Sequence, residues 1–170
     1  MEIERLIRDI PDFPKPGIIF KDITPLLGDA KALIYCADQL VTLCPKNVKI
    51  DKVVGIEARG FILGSMIAER LQAGFIPVRK KGKLPYEVNS KSYGLEYGED
   101  ILEIHKDAIK PGEHVLIHDD VLATGGTAKA VCELVEELEG IIVQCNFMMQ
   151  LSFLDGTNKL SVPIASLLTY

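Results

Sequence analysis

Two adjacent carboxylates and a glycine-rich loop stand together in the stretch VLIHDDVLATGGT, residues 115 to 127. The apolar run before Asp119 and Asp120 is typical of a buried strand, and a helical pattern follows the loop. In an open α/β sheet, ligands bind beyond the carboxyl ends of the strands. The order of these features therefore places both carboxylates at a strand end, at the mouth of a binding crevice.

The loop after the carboxylates has the composition of an anion-binding site; its residues are Ala123, Thr124, Gly125, Gly126 and Thr127. Glycines let a backbone approach a ligand closely, and the N–H groups at a helix N-terminus favour negative charge. Since a polyanion cannot rest on carboxylates, the two halves must contact different parts of one ligand. We predict phosphate on the loop and sugar hydroxyls on the acidic pair, with a divalent cation nearby. The alternative is a solvated strand end and an ordinary turn, which a TGGT match alone would not exclude.

The segments that must position this motif alternate between strand and helix patterns. The predicted strands are 52–57, 75–79, 99–105, 114–118, 141–151 and 162–168. The predicted helices are 1–10, one capped by Asp29 and ended by Pro45, 62–71 ended by Gly74, and 127–139 ended by Gly140 at positive φ. Residues 80–98 are expected to be irregular. The alternation predicts a single domain, 1–170, with an open, mostly parallel twisted α/β sheet flanked by helices.

Composition and charge exclude several classes of protein. The net charge is −5, from 24 acidic and 19 basic residues, whereas a nucleic-acid or anionic-membrane binder needs a basic surface. No apolar run approaches the roughly 20 residues that span a bilayer, and the opening MEIERLIRDI does not resemble a signal peptide. The four cysteines are far apart in the sequence and are expected to be reduced and buried. We therefore expect a cytoplasmic protein with no nucleic-acid or membrane partner.

The strand, the acidic pair and the TGGT-like loop together resemble the phosphoribosyl diphosphate signature of the type I phosphoribosyltransferases. By this resemblance, Asp119 and Asp120 bind the ribose hydroxyls, and the loop from Ala123 to Thr127 binds the ribose-bound monophosphate. The sequence departs from the signature at His118, where that family usually has an aliphatic residue. The resemblance implies the type I phosphoribosyltransferase fold, with an N-terminal hood that holds the base (1–28) and a flexible lid loop (80–98).

An N-terminal segment resembles the adenine-specific branch of that family. In residues 12–27, DFPKPGIIFKDITPLL, the resemblance places Phe20 against the face of a purine, with Ile19 and Lys21 contacting the base partly through backbone groups. A backbone carbonyl suits the exocyclic amine of adenine, whereas a 6-oxo purine would leave two acceptors facing each other. The alternative is an extended surface arm whose apolar residues pack on the core.

Two further segments resemble the same branch. In GIEARGF, residues 55–61, Arg59 offers paired donors to a diphosphate, although alone it would be taken for an exposed arginine. In the basic stretch that begins at residue 79, the resemblance assigns pyrophosphate contacts to Arg79 and Lys83, some of them from a neighbouring subunit. Glu96 and Tyr97 match the tip of the lid, and we expect the carboxylate of Glu96 to handle the proton of the base. The predicted catalytic residues are Glu96, Arg59 and Tyr97.

The resemblance implies a magnesium-dependent enzyme of purine salvage that joins adenine to phosphoribosyl diphosphate and releases AMP and pyrophosphate. Magnesium is expected mainly through phosphoribosyl diphosphate and water, with no metal site of the protein, and a homodimer is implied by the cross-subunit role of Arg79. Alternatives remain: the same reaction with hypoxanthine or guanine, xanthine or orotate, and a ligand-sensing regulator that binds nucleic acid, which the acidic charge opposes. A P-loop protein is excluded because no GxxxxGK[ST] occurs.

Overall fold

The computed structural model describes residues 1–94 and 99–170. Four α-helices occur in the described residues: α1 Thr24–Leu27, α2 Ala30–Thr42, α3 Gly60–Leu71 and α4 Gly126–Glu137. The strands are β1 Arg8–Pro11, β2 Ile19–Asp22, β3 Lys52–Ile56, β4 Gly74–Lys80, β5 Val88–Gly94, β6 Glu99–His105, β7 His114–Leu122, β8 Ile141–Gln150 and β9 Ile164–Thr169. Within this part of the chain, no helix has both the length and the apolar character needed to span a membrane.

Seven strands form one sheet in the order β5-β6-β4-β3-β7-β8-β9. The run β4-β3-β7-β8-β9 pairs in parallel, and β5 and β6 extend one edge as antiparallel strands. The strand–helix–strand unit expected early in the chain is β3-α3-β4. This mostly parallel sheet with flanking helices confirms the predicted fold class.

Helices cover both faces of the sheet and bury one apolar core on each side. Leu40 of α2 and Ile67 of α3 pack in the same core as Leu116, whereas Val131 of α4 packs in the opposite core with Ile117. Successive residues of a strand point to opposite faces, so neighbouring residues of β7 contribute to different cores. Strand β7 is therefore held firmly at the centre of the molecule.

Strand β7 is longer than the sequence pattern predicted, and it contains the acidic pair rather than ending before it. The prediction ended this strand at His118, but pairing with β8 continues to Leu122, because β8 is itself ten residues long. On its other side, β7 pairs with β3 only as far as His118. Asp119 and Asp120 thus lie on an overhang that is paired on one edge and open on the other.

The first ten residues do not form the predicted helix. One 3-10 turn spans Ile3–Leu6, and Arg8–Pro11 then pairs antiparallel with Ile19–Asp22. A helix of ten residues is marginal on its own, whereas this strand gains a partner from the next segment. The resulting two-stranded sheet contains the residues that were predicted to hold the base.

The stretch 80–98 is also less irregular than predicted. Within it, Val88–Gly94 forms β5 and pairs along its whole length with β6. Strand β5 shows little alternation of apolar and polar residues because it lies at the edge of the sheet. It is therefore recognised by its pairing with β6 rather than by its sequence pattern. Residues 95–98, which include Glu96 and Tyr97, lie outside the described residues.

One predicted helix end needs correction: the residue with positive φ after α4 is Glu139, at 59°, rather than Gly140. Helix α3 ends at Leu71, as predicted, and the residue with positive φ after it is Gln72, at 53°. Gly140 is required for another reason, because a Cβ there would lie 2.9 Å from Val135 Cγ1. The start of α2 is confirmed: the Asp29 carboxylate accepts hydrogen bonds of 2.9 Å from the first amides of the helix.

Candidate active site

A crevice lies where β7 projects beyond β3, between the N-terminal strands and the residues that follow β8. Its cavity has a volume of about 350 Å³ and is lined by Ile18, Ile19, Phe20, Lys21, Arg59, Asp119, Asp120, Val121, Ala123, Thr127, Leu151 and Leu154. A smaller cavity of about 70 Å³ adjoins it, between Asp119 and the loop that contains Thr124 and Gly125. Residues predicted from three separate segments therefore meet in one place.

The acidic pair and Arg59 form the charged wall of this crevice. Arg59 Nε lies 2.8 Å from Oδ2 of Asp120, which is buried, while Asp119 is partly exposed. Burial raises the pKa of Asp119, and the neighbouring charge of Asp120 raises it further. Burial also raises the pKa of Asp120, against the opposing charge of Arg59. Two buried carboxylates side by side therefore favour hydroxyl donors and cations as neighbours.

Gly60, the first residue of α3, allows Arg59 to reach the acidic pair. A Cβ at this position would lie 3.0 Å from Asp119 Oδ1 and 3.0 Å from the carbonyl oxygen of His118. A larger residue would push the start of α3 away from the overhang of β7. The glycine thus fixes the spacing between the arginine and the carboxylates.

Residues 123–127, called here the phosphate loop, are packed backbone against backbone. Gly125 has a φ of 79°, and a Cβ on it would collide with the carbonyl oxygen of Gly156. A Cβ on Gly156 would in turn collide with the carbonyl oxygen of Ala123. Helix α4 begins at Gly126, so the unpaired N–H groups of its first turn belong to this loop. The loop is therefore a rigid set of donors, as anion binding requires.

The N-terminal strands close the other side of the crevice. The guanidinium carbon of Arg59 lies 5.0 Å from the centre of the Phe20 ring, which links the hood to the charged wall. The Lys21 ammonium lies 2.7 Å from Asp9 Oδ1 and 4.1 Å from the Tyr170 ring centre. These contacts engage the ammonium group of Lys21, and the residue as a whole is held opposite Asp9 in the two-stranded sheet.

Arg79 and Lys83, which were predicted to contact pyrophosphate, lie outside the crevice. They are not among the residues that line the crevice, and both contact the carboxylate of Glu57 at the end of β3. Gly126 likewise lines a different cavity, with Tyr93 and Lys129. The roles assigned to these three residues stay predictions.

A family model, related sequences and solved structures all match this chain along most of its length. The family model described as phosphoribosyl transferase domain matches residues 23–149. The adenine phosphoribosyltransferase of Flavobacterium johnsoniae is 62% identical, with 100% of each chain covered. The crystal structure of adenine phosphoribosyltransferase from Thermoanaerobacter pseudethanolicus superposes with a TM-score of 0.96 at 53% identity, covering 99% of this chain and 98% of that one. The chain belongs to the adenine phosphoribosyltransferase family.

Membership of the adenine phosphoribosyltransferase family confirms the resemblance seen in the sequence and the predicted class of enzyme, a glycosyltransferase of purine salvage. A further similar structure is the adenine phosphoribosyltransferase of Saccharomyces cerevisiae, complexed with an iminoaltritol bisphosphate and adenine. Its TM-score is 0.91 at 44% identity, covering 98% of this chain and 96% of that one. Among the alternatives for the base, adenine is the one that these relatives share.

His118, the departure from the family signature, is fully buried and neutral. Asn146 Nδ2 donates to the carbonyl oxygen of Leu40, which turns its Oδ1 towards His118 Nδ1 at 3.0 Å. The imidazole therefore carries its proton on Nδ1, and burial lowers the pKa of His118 to about 4. The histidine replaces an aliphatic residue by pairing with a polar partner on β8, so the strand that carries the acidic pair stays fully packed.

Sequence reasoning missed the wall that follows β8. Leu151 and Leu154 line the crevice opposite the hood, and Gly156 supports the phosphate loop. An adjoining apolar cavity of about 350 Å³ includes the exposed ring of Phe153. A usable signal was present, since these residues follow the carboxyl end of the strand next to β7, where ligand-binding loops are expected.

Proposed function

We propose that this chain transfers the 5-phosphoribosyl group of phosphoribosyl diphosphate to adenine, giving AMP and pyrophosphate, in the crevice described above. The observation that carries the proposal is the meeting of Arg59, the acidic pair and the phosphate loop around one cavity. Carboxylates and an anion-binding loop side by side fit a ligand that carries hydroxyls and a phosphate on the same sugar.

Each part of the crevice has a distinct partner in this proposal. Asp119 and Asp120 accept hydrogen bonds from the ribose hydroxyls, and the phosphate loop donates to the 5-phosphate. Arg59 directs its donors to the diphosphate once the ribose hydroxyls have engaged the carboxylates. Phe20 and Leu154, which line the crevice from the hood and from the wall after β8, pack on the purine.

The reaction is a substitution at the anomeric carbon through a loose, oxocarbenium-like state. Cations near the diphosphate stabilise the charge that develops on the leaving pyrophosphate. Glu96 is proposed to take the proton that the base loses, with Tyr97 beside it, in a lid that excludes water from the activated sugar. These two residues lie outside the described residues, so their roles rest on the sequence resemblance.

Magnesium is proposed to enter with phosphoribosyl diphosphate. The described part of the chain contains no group of three or more histidine, cysteine or acidic side chains placed to hold a metal ion. Asp119 and Asp120, whose pKa values are raised by burial, favour a nearby cation. When bound, the ion would neutralise charge on the diphosphate. We further propose a homodimer, which the cross-subunit role of Arg79 requires, and a cytoplasmic location, in keeping with four free cysteines.

A panel of bases tests the proposal. The protein is incubated with phosphoribosyl diphosphate, magnesium and adenine, hypoxanthine, guanine or xanthine, and the nucleotide products are quantified. A backbone acceptor facing the exocyclic amine predicts kcat/KM for adenine on the order of a thousandfold above that for hypoxanthine. Comparable values for the two bases would overturn the adenine assignment, and no nucleotide with any base would overturn the reaction itself.

A further inference from the structure

The end of β4 and the turn after it, residues 79–83 and called here the cation turn, carry Arg79, Lys80, Lys81 and Lys83. Three successive amides fix its backbone. The Lys80 amide donates to Glu57 Oε2 at 2.8 Å, the Lys81 amide to the Ile101 carbonyl at 3.0 Å, and the Gly82 amide to Glu103 Oε2 at 2.9 Å. Two nearly buried carboxylates thus hold a turn whose side chains are cationic.

Glu57 differs from Glu103 because it also contacts the cationic side chains. Its carboxylate pairs with Lys83 Nζ and lies 3.5 Å from Arg79 Nε. Arg79 Nη1 donates to the Lys83 carbonyl at 3.4 Å, which joins the two cations to each other. The hydrogen bonds of Glu103 are instead to the Gly82 amide and the Ser90 hydroxyl.

The charge of Glu57 is maintained by this arrangement. Only 8% of its side chain is exposed, and burial acts to raise its pKa. The hydrogen bonds from Lys83 and the Lys80 amide, together with the charge of Arg79, outweigh burial and hold the pKa below its usual value. Glu57 is therefore an ionised, nearly buried anchor between two cations that would otherwise repel each other.

We propose that Glu57 is a positioning residue for pyrophosphate: it holds Arg79 and Lys83 together, and joins them to the segment that carries Arg59. The inference rests on the proposed function, in which Arg59 and Lys83 bind the diphosphate in the crevice of their own chain and Arg79 contacts the diphosphate of the partner subunit. Glu57 stands two residues before Arg59, and its own amide donates to the Val78 carbonyl at 3.0 Å. Glu57 therefore links the ends of β3 and β4. Through them it connects Arg59 with Arg79 and Lys83, which lie 20 or more residues later in the chain.

The cations remain available to a ligand in this arrangement. The side chains of Arg79 and Lys83 are 36% and 45% exposed, whereas the carboxylate between them is not. A diphosphate can thus approach from the solvent side while Glu57 keeps its contacts from behind. Ordering two long side chains before binding reduces the entropy that binding must overcome.

The reverse reaction, from AMP and magnesium pyrophosphate to adenine, tests this inference. Glu57→Gln keeps the size of the side chain and an acceptor for the Lys80 amide, but removes the charge that holds the cations. We expect KM for pyrophosphate to rise roughly tenfold, the effect of a lost hydrogen bond to a charged group, while KM for AMP changes by less than about twofold. Glu103→Gln is the matched control, because it neutralises the second carboxylate of the same turn, whose hydrogen bonds are to the Gly82 amide and the Ser90 hydroxyl rather than to a cationic side chain. It should leave both constants within about twofold of the wild type.

A third variant, Lys83→Met, separates failure of the inference from failure of the proposed function. If Lys83→Met raises KM for pyrophosphate and Glu57→Gln does not, or lowers it, the positioning role is wrong and the proposed function stands. If Glu57→Gln raises KM for pyrophosphate and KM for AMP together and lowers the melting temperature, Glu57 has only a structural role and the inference is overturned. If Lys83→Met itself leaves KM for pyrophosphate unchanged, the assignment of the cation turn to pyrophosphate fails, and the inference fails with it.

Discussion

The phosphate loop and the cation turn both follow strands of the parallel sheet, and both are proposed to bind phosphate groups, yet they are built in opposite ways. In the phosphate loop, Gly125 and Gly156 bring two backbone segments into direct contact, and the donors are N–H groups of a helix N-terminus. In the cation turn, the donors are long side chains that Glu57 holds from behind, while Glu103 binds the backbone of the turn. The difference separates a site defined by shape from a site defined by charge.

The two sites should therefore tolerate different substitutions. A loop packed backbone on backbone has no side chain that can move aside, so one added methyl group must displace the donors. A turn that is held by ion pairs adapts to small changes in shape, but responds to the loss of a charge and to screening by salt. Three substitutions and one change of ionic strength test that contrast, and we expect their effects to decrease in the order given.

Gly156→Ala should have the largest effect, because its Cβ would collide with the carbonyl oxygen of Ala123. We expect kcat/KM for phosphoribosyl diphosphate to fall about a hundredfold, which is the effect of displacing a binding group by about 1 Å. The free energy of unfolding should fall by roughly 1–3 kcal/mol, as for overpacking of a tight site. Gly28→Ala is the control, since its nearest neighbours would lie at an ordinary 3.6 Å. Wild-type kinetics in Gly156→Ala would show that the loop is not held by this contact.

Asp119→Asn should lower activity while it increases stability. Burial and the charge of Asp120 raise the pKa of Asp119 in the folded state above the ordinary value of 3.8. The folded protein therefore binds more protons than the unfolded chain as the pH rises above 3.8, and it loses stability through that range up to the raised pKa. The amide removes this cost, so the melting temperature at pH 7 should exceed that of the wild type, and the difference should shrink towards about pH 3.

The kinetic part of this prediction uses the same variant. Use of phosphoribosyl diphosphate should fall at least tenfold, because an amide replaces one acceptor of the ribose hydroxyls with a donor. Thermal denaturation across pH and steady-state kinetics measure the two effects. A variant that is more stable yet fully active would contradict the role of Asp119 in binding the sugar.

Salt should distinguish the two sites in the wild-type protein. The side chains of Arg79 and Lys83 are 36% and 45% exposed, so their attraction for pyrophosphate is open to screening. The phosphate loop acts through neutral N–H groups in fixed positions. Raising the ionic strength with KCl should increase KM for pyrophosphate several-fold more than KM for AMP in the reverse reaction. Equal increases would show that charge dominates binding at both sites.

Gly126→Ala should have the smallest effect on stability. Its added Cβ would be 3.9 Å from Tyr93 Cδ2, and its φ does not lie in the left-handed region. We expect the free energy of unfolding to change by less than about 0.5 kcal/mol. Gly125→Ala, which meets both a positive φ and the Gly156 carbonyl, is the matched comparison and should be destabilised clearly more. Equal losses in the two variants would argue against backbone packing as the origin of the loop's rigidity.

Much of the fold and several residues of the candidate site could be predicted from local features of the sequence. Alternating apolar patterns predicted the parallel sheet and its main helices, because periodicity is a local property of the chain. The acidic pair and the TGGT loop predicted where the ligand binds. A glycine-rich loop that opens a helix is typical of an anion site, and ligands bind beyond the carboxyl ends of the strands. The hood residues Ile19, Phe20 and Lys21 were predicted by resemblance and do line the crevice with Arg59.

Features that depend on partners distant in the chain could not be predicted and are visible only in the folded structure. Strand β1 exists because β2 returns to pair with it, and β7 extends past His118 because β8 continues beside it. Gly156 contacts Ala123, which lies 33 positions earlier in the chain. Glu57 forms an ion pair with Lys83, which lies 26 positions later. No local pattern encodes such contacts, since packing and ion pairing depend on distance in space rather than on order along the chain.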